Sequence, residues 1–165
     1  MQDNKQIKPS HFKIHEFNRT YKSLYNEDQI WNWLNDPKTF TDNQVWPYRV
    51  EFLPGDQHKQ TFETGVLNNH HGPFLSLAGR IGEIAPNYRD LQYFYGSYAI
   101  SFRYIRPYRL QFWTEDLGDH RIVRVQLSSY VHPTFYKMWN FSQKIFWSHF
   151  GSWMNKSIKK ITKST

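Results

Sequence analysis

Cysteine is absent from this chain of 165 residues, and its absence excludes several kinds of chemistry. Without a thiol there is no disulfide, no thiolate nucleophile and no cysteine-ligated zinc site. The chain also lacks an apolar run long enough to cross a bilayer, and its mean hydropathy is −0.77. Its first ten residues are polar and lack the apolar core of a secretory signal. These absences predict a soluble, cytoplasmic protein.

Acidic residues are missing from the C-terminal part of the chain. Asp119 is the last of them, and the first 119 residues have a formal charge of −1, against +7 for the whole chain. The basic residues that follow are Arg121, Arg124, Lys137, Lys144, Lys156, Lys159, Lys160 and Lys163. Such a basic end attracts nucleic acid or an anionic membrane. It also suits the negative end of a helix dipole, which is the simpler explanation.

Aromatic side chains, by contrast, are abundant. The chain has 7 Trp, 11 Tyr and 13 Phe, which is 19% of its residues. Each ring can bury about 150–250 Å², so a large core is available and intrinsic disorder is excluded. The same rings can either line an internal space or fill it.

Alternation of apolar and polar residues predicts an antiparallel β-sheet. We expect a loose leader over residues 1–10 and a single domain over residues 11–163. The predicted strands cover residues 12–24, 48–54, 61–67, 74–84, 91–105, 108–115 and 121–131. Turn-forming residues separate them at 68–73 and at Arg106-Pro107, and Gly79 and Gly82 predict bends or bulges.

Two short helices are predicted after the first strand. Asn26 and Gln29 have the spacing of a capping box, which favours a helix start. That helix ends near Asp36, because Pro37 disfavours helical geometry in the residue before it. A second short helix or turn is expected over residues 37–42.

One long helix is predicted over residues 133–163, where Pro133 suits a helix start. Its main apolar stripe, at spacings of three and four, contains Phe135, Met138, Trp139, Phe146, His149, Phe150, Trp153 and Ser157. Gly151 interrupts this helix, which predicts either a bend or a close approach of another element to its backbone.

The predicted class is α+β, with a curved antiparallel sheet of about seven strands wrapped around the long C-terminal helix. Three features carry a family resemblance: a Trp-containing helix that ends in Asp36-Pro37, the strand Arg-Pro-Tyr-Arg-Leu-Gln-Phe-Trp at 106–113, and the final amphipathic helix. Over residues 12–161 the order of elements resembles the helix-grip fold of the START/SRPBCC superfamily. That superfamily includes birch-pollen-allergen-like and polyketide cyclase-like proteins.

The resemblance implies binding, and by extension transport, of a small hydrophobic or lipid-like ligand in an internal cavity between the sheet and the C-terminal helix. The first alternative is a polyketide cyclase- or hydrolase-like enzyme that acts on a hydrophobic substrate in the same cavity. The second is an interaction protein whose aromatic core leaves no cavity. The superfamily shares an architecture rather than a catalytic set, so no catalytic residue is assigned and binding is favoured over catalysis.

The candidate ligand-binding residues come from the helix stripe and from the sheet face that would oppose it. They are Trp139, Phe146, His149, Phe150, Trp153, Phe52, Ile100, Phe102, Leu110, Phe112, Val125 and Leu127. Val50, Leu75 and Leu77 belong to the same predicted face. Glu63, Arg103 and Tyr104 are polar residues in strand context that would anchor a ligand if buried. If the predicted alternation of a strand were wrong by one residue, all of its inward-facing residues would instead point outward, and its candidate ligand-binding residues would be replaced by their neighbours.

Other sites are disfavoured by the same sequence. His70 and His71 are adjacent and too few for a metal site, so neither a metal nor a cofactor is predicted. Basic and aromatic residues interleave from Arg103 to Arg109, but no nucleic-acid-binding motif accompanies them. An anionic membrane surface is a further predicted partner, through Lys156, Lys159, Lys160 and Lys163.

Overall fold

A computed structural model of the chain describes residues 6–42, 49–53, 62–72, 75–97 and 104–164. The strands are β1 (Lys13–Ser23), β2 (Arg49–Phe52), β3 (Leu67–Gly72), β4 (Leu75–Ala85), β5 (Tyr88–Ser97), β6 (Ile105–Asp116) and β7 (Arg121–Val131). The helices are α1 (Glu27–Asn35), α2 (Pro37–Thr41), α3 (Tyr136–Phe146) and α4 (Phe150–Ser164). The strands form one antiparallel sheet in the order β1-β7-β6-β5-β4-β3-β2. The predicted helix-grip architecture is thereby confirmed.

One face of the sheet supplies the core. Val123, Val125 and Leu127 alternate along β7 with more exposed residues, as the sequence predicts. The residues paired with them on β1 and β6 point to the same side, because paired residues share a face. Met154 and Ile158 of α4 are buried in the same core cluster. Full burial of such side chains contributes about 1.5–3 kcal/mol each.

Side-chain caps hold the two short helices. The backbone N–H of Gln29 donates to Asn26 Oδ1 at 2.8 Å, and the backbone N–H of Asn26 donates to Gln29 Oε1 at 3.0 Å. This is the predicted capping box, and a cap of this kind contributes about 0.5–2 kcal/mol. Asp36 ends α1 and caps α2, since its Oδ1 accepts from the backbone N–H of Lys38 at 2.9 Å.

A chain of hydrogen bonds joins α1 to the sheet. The indole Nε1 of Trp31 donates to Thr114 Oγ1 at 2.8 Å, and that hydroxyl donates to Glu27 Oε1 at 2.6 Å. Thr114 lies on β6 and is buried. These hydrogen bonds therefore hold the start of α1 against β6.

The prediction for residues 61–73 is wrong. Residues 62–66 form no strand, whereas β3 runs through the segment that was predicted as a turn. Asn and His are weak strand formers, but Asn68 and His70 pair with Gly79 and Leu77 of β4. Pairing on both sides, with β2 and β4, overrides the local preference for a turn.

Arg106-Pro107 does not separate two strands, contrary to prediction. β6 begins at Ile105 and continues through Pro107, and its pairing with β7 shifts register between Pro107 and Arg109. A bulge accommodates a residue that has no N–H to donate. Simple alternation along residues 108–115 would place Tyr108 on the same face as Leu110 and Phe112, but the shift leaves Tyr108 half-buried while the other two are buried. Register shifts also occur between Ala78 and Gly79 and between Ile81 and Ile84, which confirms the predicted bulges of β4.

The C-terminal helix is interrupted by one 3-10 turn, Trp147–His149, between α3 and α4. Directly after it, Tyr21 of β1 packs against Gly151: a Cβ added at Gly151 would lie 2.5 Å from Tyr21 Cδ1. The Tyr21 hydroxyl donates to the Trp147 carbonyl at 2.6 Å. A close approach to the helix backbone, one of the two predicted reasons for Gly151, is thus confirmed.

We predict that Gly151→Ala destabilises the fold. Alanine raises helix propensity by about 1 kcal/mol, but the forced shift of the Tyr21 ring costs about 1–3 kcal/mol. Urea unfolding should show a net loss of stability. Ser152→Ala, one residue further along the exposed side of α4, is the matched control and should be neutral or slightly stabilising. A Gly151→Ala protein as stable as the wild type would contradict the packing described here.

Candidate ligand-binding site

Seven rings meet between the sheet and the helices. The aromatic cluster consists of Trp33, Phe40, Phe52, Phe62, Phe112, Phe150 and Trp153. Trp33 of α1 lies 4.8 Å from Trp153 of α4, measured between ring centroids, and 5.9 Å from Phe40 of α2. The cluster continues through Phe62, which lies 4.6 Å from Phe52 of β2. It therefore joins both short helices, the C-terminal helix and the sheet.

A cation lies inside this cluster. Arg89 of β5 is 2% exposed, and its guanidinium carbon is 4.8 Å from the ring centroid of Phe62 and 5.4 Å from that of Phe112. Its Nη1 donates to the Leu34 carbonyl and, at 3.2 Å, to Asn35 Oδ1. Both acceptors belong to the C-terminal end of α1, the negative end of its dipole. Burial lowers the pKa of Arg89 to about 9, so it stays charged at neutral pH.

Two polar side chains of β3 also face the interior. Asn68 is 3% exposed, and neither its Nδ2 nor its Oδ1 has a hydrogen-bond partner among the described residues. The buried Nε2 of His70 likewise has none in that part of the chain. The His70 ring lies 5.6 Å from the ring of Tyr93, edge to face. Burial, with a smaller contribution from the charge of His71, lowers the pKa of His70 to about 4.

Most of the predicted ligand-binding residues lie inside. Trp139, Leu110, Phe112, Val125, Leu127 and Phe150 are buried, and Phe52 and Trp153 are half-buried against the core. Leu77 is buried too, and Val50 is half-buried. Ile100, Phe102 and Arg103 lie outside the described residues. Tyr104 is 38% exposed and stacks on Phe135 at 4.8 Å, away from the aromatic cluster.

Phe146 and His149 point to solvent, contrary to prediction. Phe146 is 59% exposed and His149 is exposed, while Trp147 between them is 6% exposed. The buried residues of this segment recur at spacings of four and three: Trp139, Gln143, Trp147, Phe150, Met154 and Ile158. The predicted stripe lies on a neighbouring side of the helix, because apolar residues occur on several faces and the pattern alone does not decide which face is buried.

Arg89, Asn68 and Trp33 complete the interior but were not among the predicted site residues. Arg89 was missed because the predicted strand began at Leu91. In the structure β5 begins at Tyr88, and Arg89, Leu91 and Tyr93 then alternate into the core. Asn68 was missed because its segment reads as a turn. Trp33 lies on the predicted helix that follows Asn26, but nothing local connects it with α4.

Open grooves lie on the outer side of the sheet. One, of about 610 Å³, runs over β1, β7 and β6, where Asn18, Trp113 and Gln126 line it. The other, of about 420 Å³, lies beside the turn at Gly65. Neither groove is lined by a member of the aromatic cluster.

Comparison with solved structures supports the same architecture. A norcoclaurine synthase from Thalictrum flavum, in complex with dopamine and hydroxybenzaldehyde, has a TM-score of 0.66 at 12% identity, covering 93% of this chain and 89% of its own. A START superfamily protein from Mycobacterium smegmatis has a TM-score of 0.66 at 11% identity, with 89% and 99% covered. The structure of Ara h 8.0201 gives 0.61 at 11% identity, with 93% and 100% covered. The resemblance to START/SRPBCC proteins is thus confirmed for the fold.

At the level of sequence the chain matches no family model and no curated protein. No described helix is both long and apolar enough to cross a membrane.

We predict that acid destabilises the protein through His70. Because the pKa of His70 is about 4 in the fold and 6.5 ordinarily, only the unfolded chain binds this proton between those values. The free energy of unfolding should therefore fall as the pH drops through that window, by up to about 1.4 kcal/mol per pH unit. Burial also lowers the pKa of His15, which adds to the effect.

Urea unfolding at a series of pH values measures this slope. His70→Gln should flatten it, whereas His149→Gln, at an exposed position, should leave it as in the wild type. An unchanged slope in His70→Gln would show that His70 is not held neutral by burial.

Proposed function

We propose that the protein binds a small hydrophobic or lipid-like molecule between the sheet and the C-terminal helices. The observation that carries this proposal is a set of polar atoms within an aromatic interior: the amide of Asn68, Nε2 of His70 and Nε of Arg89, which have no described partner. Each buried polar group without a hydrogen bond costs about 1–3 kcal/mol. A ligand that places its own polar atoms there recovers this free energy.

The side chains that form the interior favour a ligand with an apolar body. Binding sites for small molecules are largely aromatic and apolar with a few oriented polar groups, as this interior is. The norcoclaurine synthase of similar fold is in complex with dopamine and hydroxybenzaldehyde, two small aromatic molecules. A shared fold does not transfer a ligand, so the chemistry of the site has to decide.

In this proposal the ligand enters at the rim of the aromatic cluster. Phe40, Phe52 and Trp153 are its half-buried members, and Phe40 belongs to the five-residue α2. Displacing one of these rings opens a path to the buried members without disturbing the centre of the sheet. Burial of the ligand at about 25 cal/mol per Å² of apolar surface drives the exchange.

The cavity-free interaction protein is the alternative with an observation in its favour. Trp139 and Arg89 each have 2% exposure, and both described grooves lie outside the interior. If these side chains do not move, the interior is a solid core. Ligand binding and a rigid core make opposite predictions for an apolar probe.

We predict that the wild-type protein binds N-phenyl-1-naphthylamine, a neutral probe that fluoresces in apolar surroundings. Native mass spectrometry of the protein purified from cells should also show a bound mass that is released on denaturation. Trp153→Glu puts a carboxylate into the rim of the cluster and should weaken probe binding at least about tenfold. Phe146→Glu adds the same charge at an exposed position and is the matched control.

Circular dichroism establishes that both variants are folded. A wild type that neither binds the probe nor carries a mass would overturn the proposal and favour the solid core.

We infer a second partner, an anionic membrane surface, from the outer side of α3. Met138, Phe141 and Ile145 recur there at helical spacing and are 50%, 64% and 55% exposed. Lys137 and Lys144 flank them and are exposed. Apolar side chains framed by lysines are typical of a helix that lies in a membrane interface. On α4 the predicted lysines Lys156, Lys159, Lys160 and Lys163 are also exposed, and no acidic residue follows Asp119.

We predict that the protein sediments with vesicles containing phosphatidylserine but not with neutral phosphatidylcholine vesicles. Phe141→Ser together with Ile145→Ser should remove most of this binding, and Gln at the four α4 lysines should reduce it. Leu117→Ser, which changes an exposed leucine in the β6–β7 turn, is the control. Equal sedimentation of the α3 variant and the wild type would contradict membrane docking through α3.

A further inference from the structure

Arg89 is a buried charge with incomplete compensation. Its described hydrogen bonds both leave from Nη1, toward the end of α1, whereas Nε is buried without a partner. Among the described residues no carboxylate lies within ion-pair distance of it. The effective penalty for burying an ion is several kcal/mol, and an opposite charge is the usual remedy.

Asp90, the next residue of β5, is a buried charge that is fully compensated. Asp90 points to the opposite face and is 0% exposed. Its Oδ2 accepts from Arg109 Nε at 2.6 Å, and its Oδ1 accepts from the backbone N–H of Glu83 at 2.6 Å. Asp90 therefore has a counter-charge and a backbone donor, while Arg89 has, in the part of the chain that the structure describes, neutral acceptors and ring faces only.

The rings around Arg89 reduce the free energy needed to bury its positive charge, but they do not neutralise that charge. Phe62, Phe112 and Phe40 lie 4.8, 5.4 and 5.6 Å from the guanidinium carbon. Such contacts are electrostatically favourable for a cation but transfer no counter-charge. The same rings form the apolar wall that the body of a ligand would touch. Cation and apolar wall are thus combined in one place.

We propose that the ligand of this interior is an amphipathic carboxylic acid whose carboxylate pairs with Arg89, an inference that rests on the proposed function. Guanidinium groups bind carboxylates through two parallel N–H donors, and the edge that includes Nε is suited to this geometry. Nη1 keeps its bonds to Leu34 and Asn35, so α1 remains capped. The apolar body of the acid lies against Phe62 and Phe112.

For a carboxylate to pair with Arg89, one of the three rings has to move away from the guanidinium group. Phe40 is the half-buried ring of the three and the farthest from the charge. Its displacement exposes Arg89 toward the rim of the aromatic cluster. The charged head then enters first into the only cationic environment described in this interior, and the apolar part follows it.

The test compares an acid with its own ester. 1-Naphthylacetate and methyl 1-naphthylacetate compete against N-phenyl-1-naphthylamine for the wild-type protein at pH 7. We expect the acid to displace the probe at a concentration at least about tenfold lower than the ester, since a charge-assisted hydrogen bond is worth more than about 1.4 kcal/mol. Arg89→Met should abolish this preference, and Arg89→Lys should retain part of it.

Arg124→Met removes an exposed arginine from the outer face and is the matched control, which should keep the preference for the acid. If Arg89→Met does not fold, the comparison of acid and ester on the wild type decides alone. Equal affinity for both compounds, or tighter binding of the ester, would overturn the role of Arg89 while leaving the proposed function intact. Failure of the neutral probe and of both compounds to bind would overturn the proposed function itself.

Discussion

The ring of Tyr21 lies against the backbone of Gly151, and the position of the whole C-terminal segment depends on this contact. Any side chain at Gly151 would overlap the ring, and the Tyr21 hydroxyl at the same time holds the Trp147 carbonyl at 2.6 Å. Strand and helix backbone can therefore approach each other more closely than two side-chain layers would allow. This approach directs Phe150 and Trp153 toward Trp33, so the aromatic cluster exists because α4 lies close to β1.

The sheet separates two opposite charges that are adjacent in sequence. Asp90 faces outward and is paired with Arg109, whereas Arg89 faces inward and is surrounded by rings. A strand presents successive side chains to opposite faces, so the two charges cannot compensate each other. The interior therefore keeps a cation and several polar atoms of β3 inside an aromatic wall. That combination, rather than the likeness of fold, is the reason to propose a ligand with both an apolar body and a polar head.

Much of the fold could be predicted because its signals are local. β7 follows its alternation from Arg121 to Val131, and Gly79 and Gly82 lie at bulges of β4. β3 could not be predicted, because Asn68 and His70 become strand residues only through pairing with two neighbours. The candidate site could likewise be predicted only in part. Phe112 and Phe150 follow from periodicity. Phe146 and His149 were assigned to the interior wrongly, because apolar residues occur on several faces of this helix and the pattern alone does not decide which face is buried.

By itself the sequence determined the features whose physics lies within a few residues: the Asn26–Gln29 capping box, the end of α1 at Asp36, and the basic character of everything after Asp119. Only the tertiary structure decided which rings meet and which charge lies among them. Arg89 and the carbonyl of Leu34 are 55 positions apart, and Tyr21 and Trp147 are 126 positions apart. Contacts at such separations depend on strand register and on the approach of α4 to β1. A shift of one residue in β5 would have exchanged Arg89 for Asp90 in the interior.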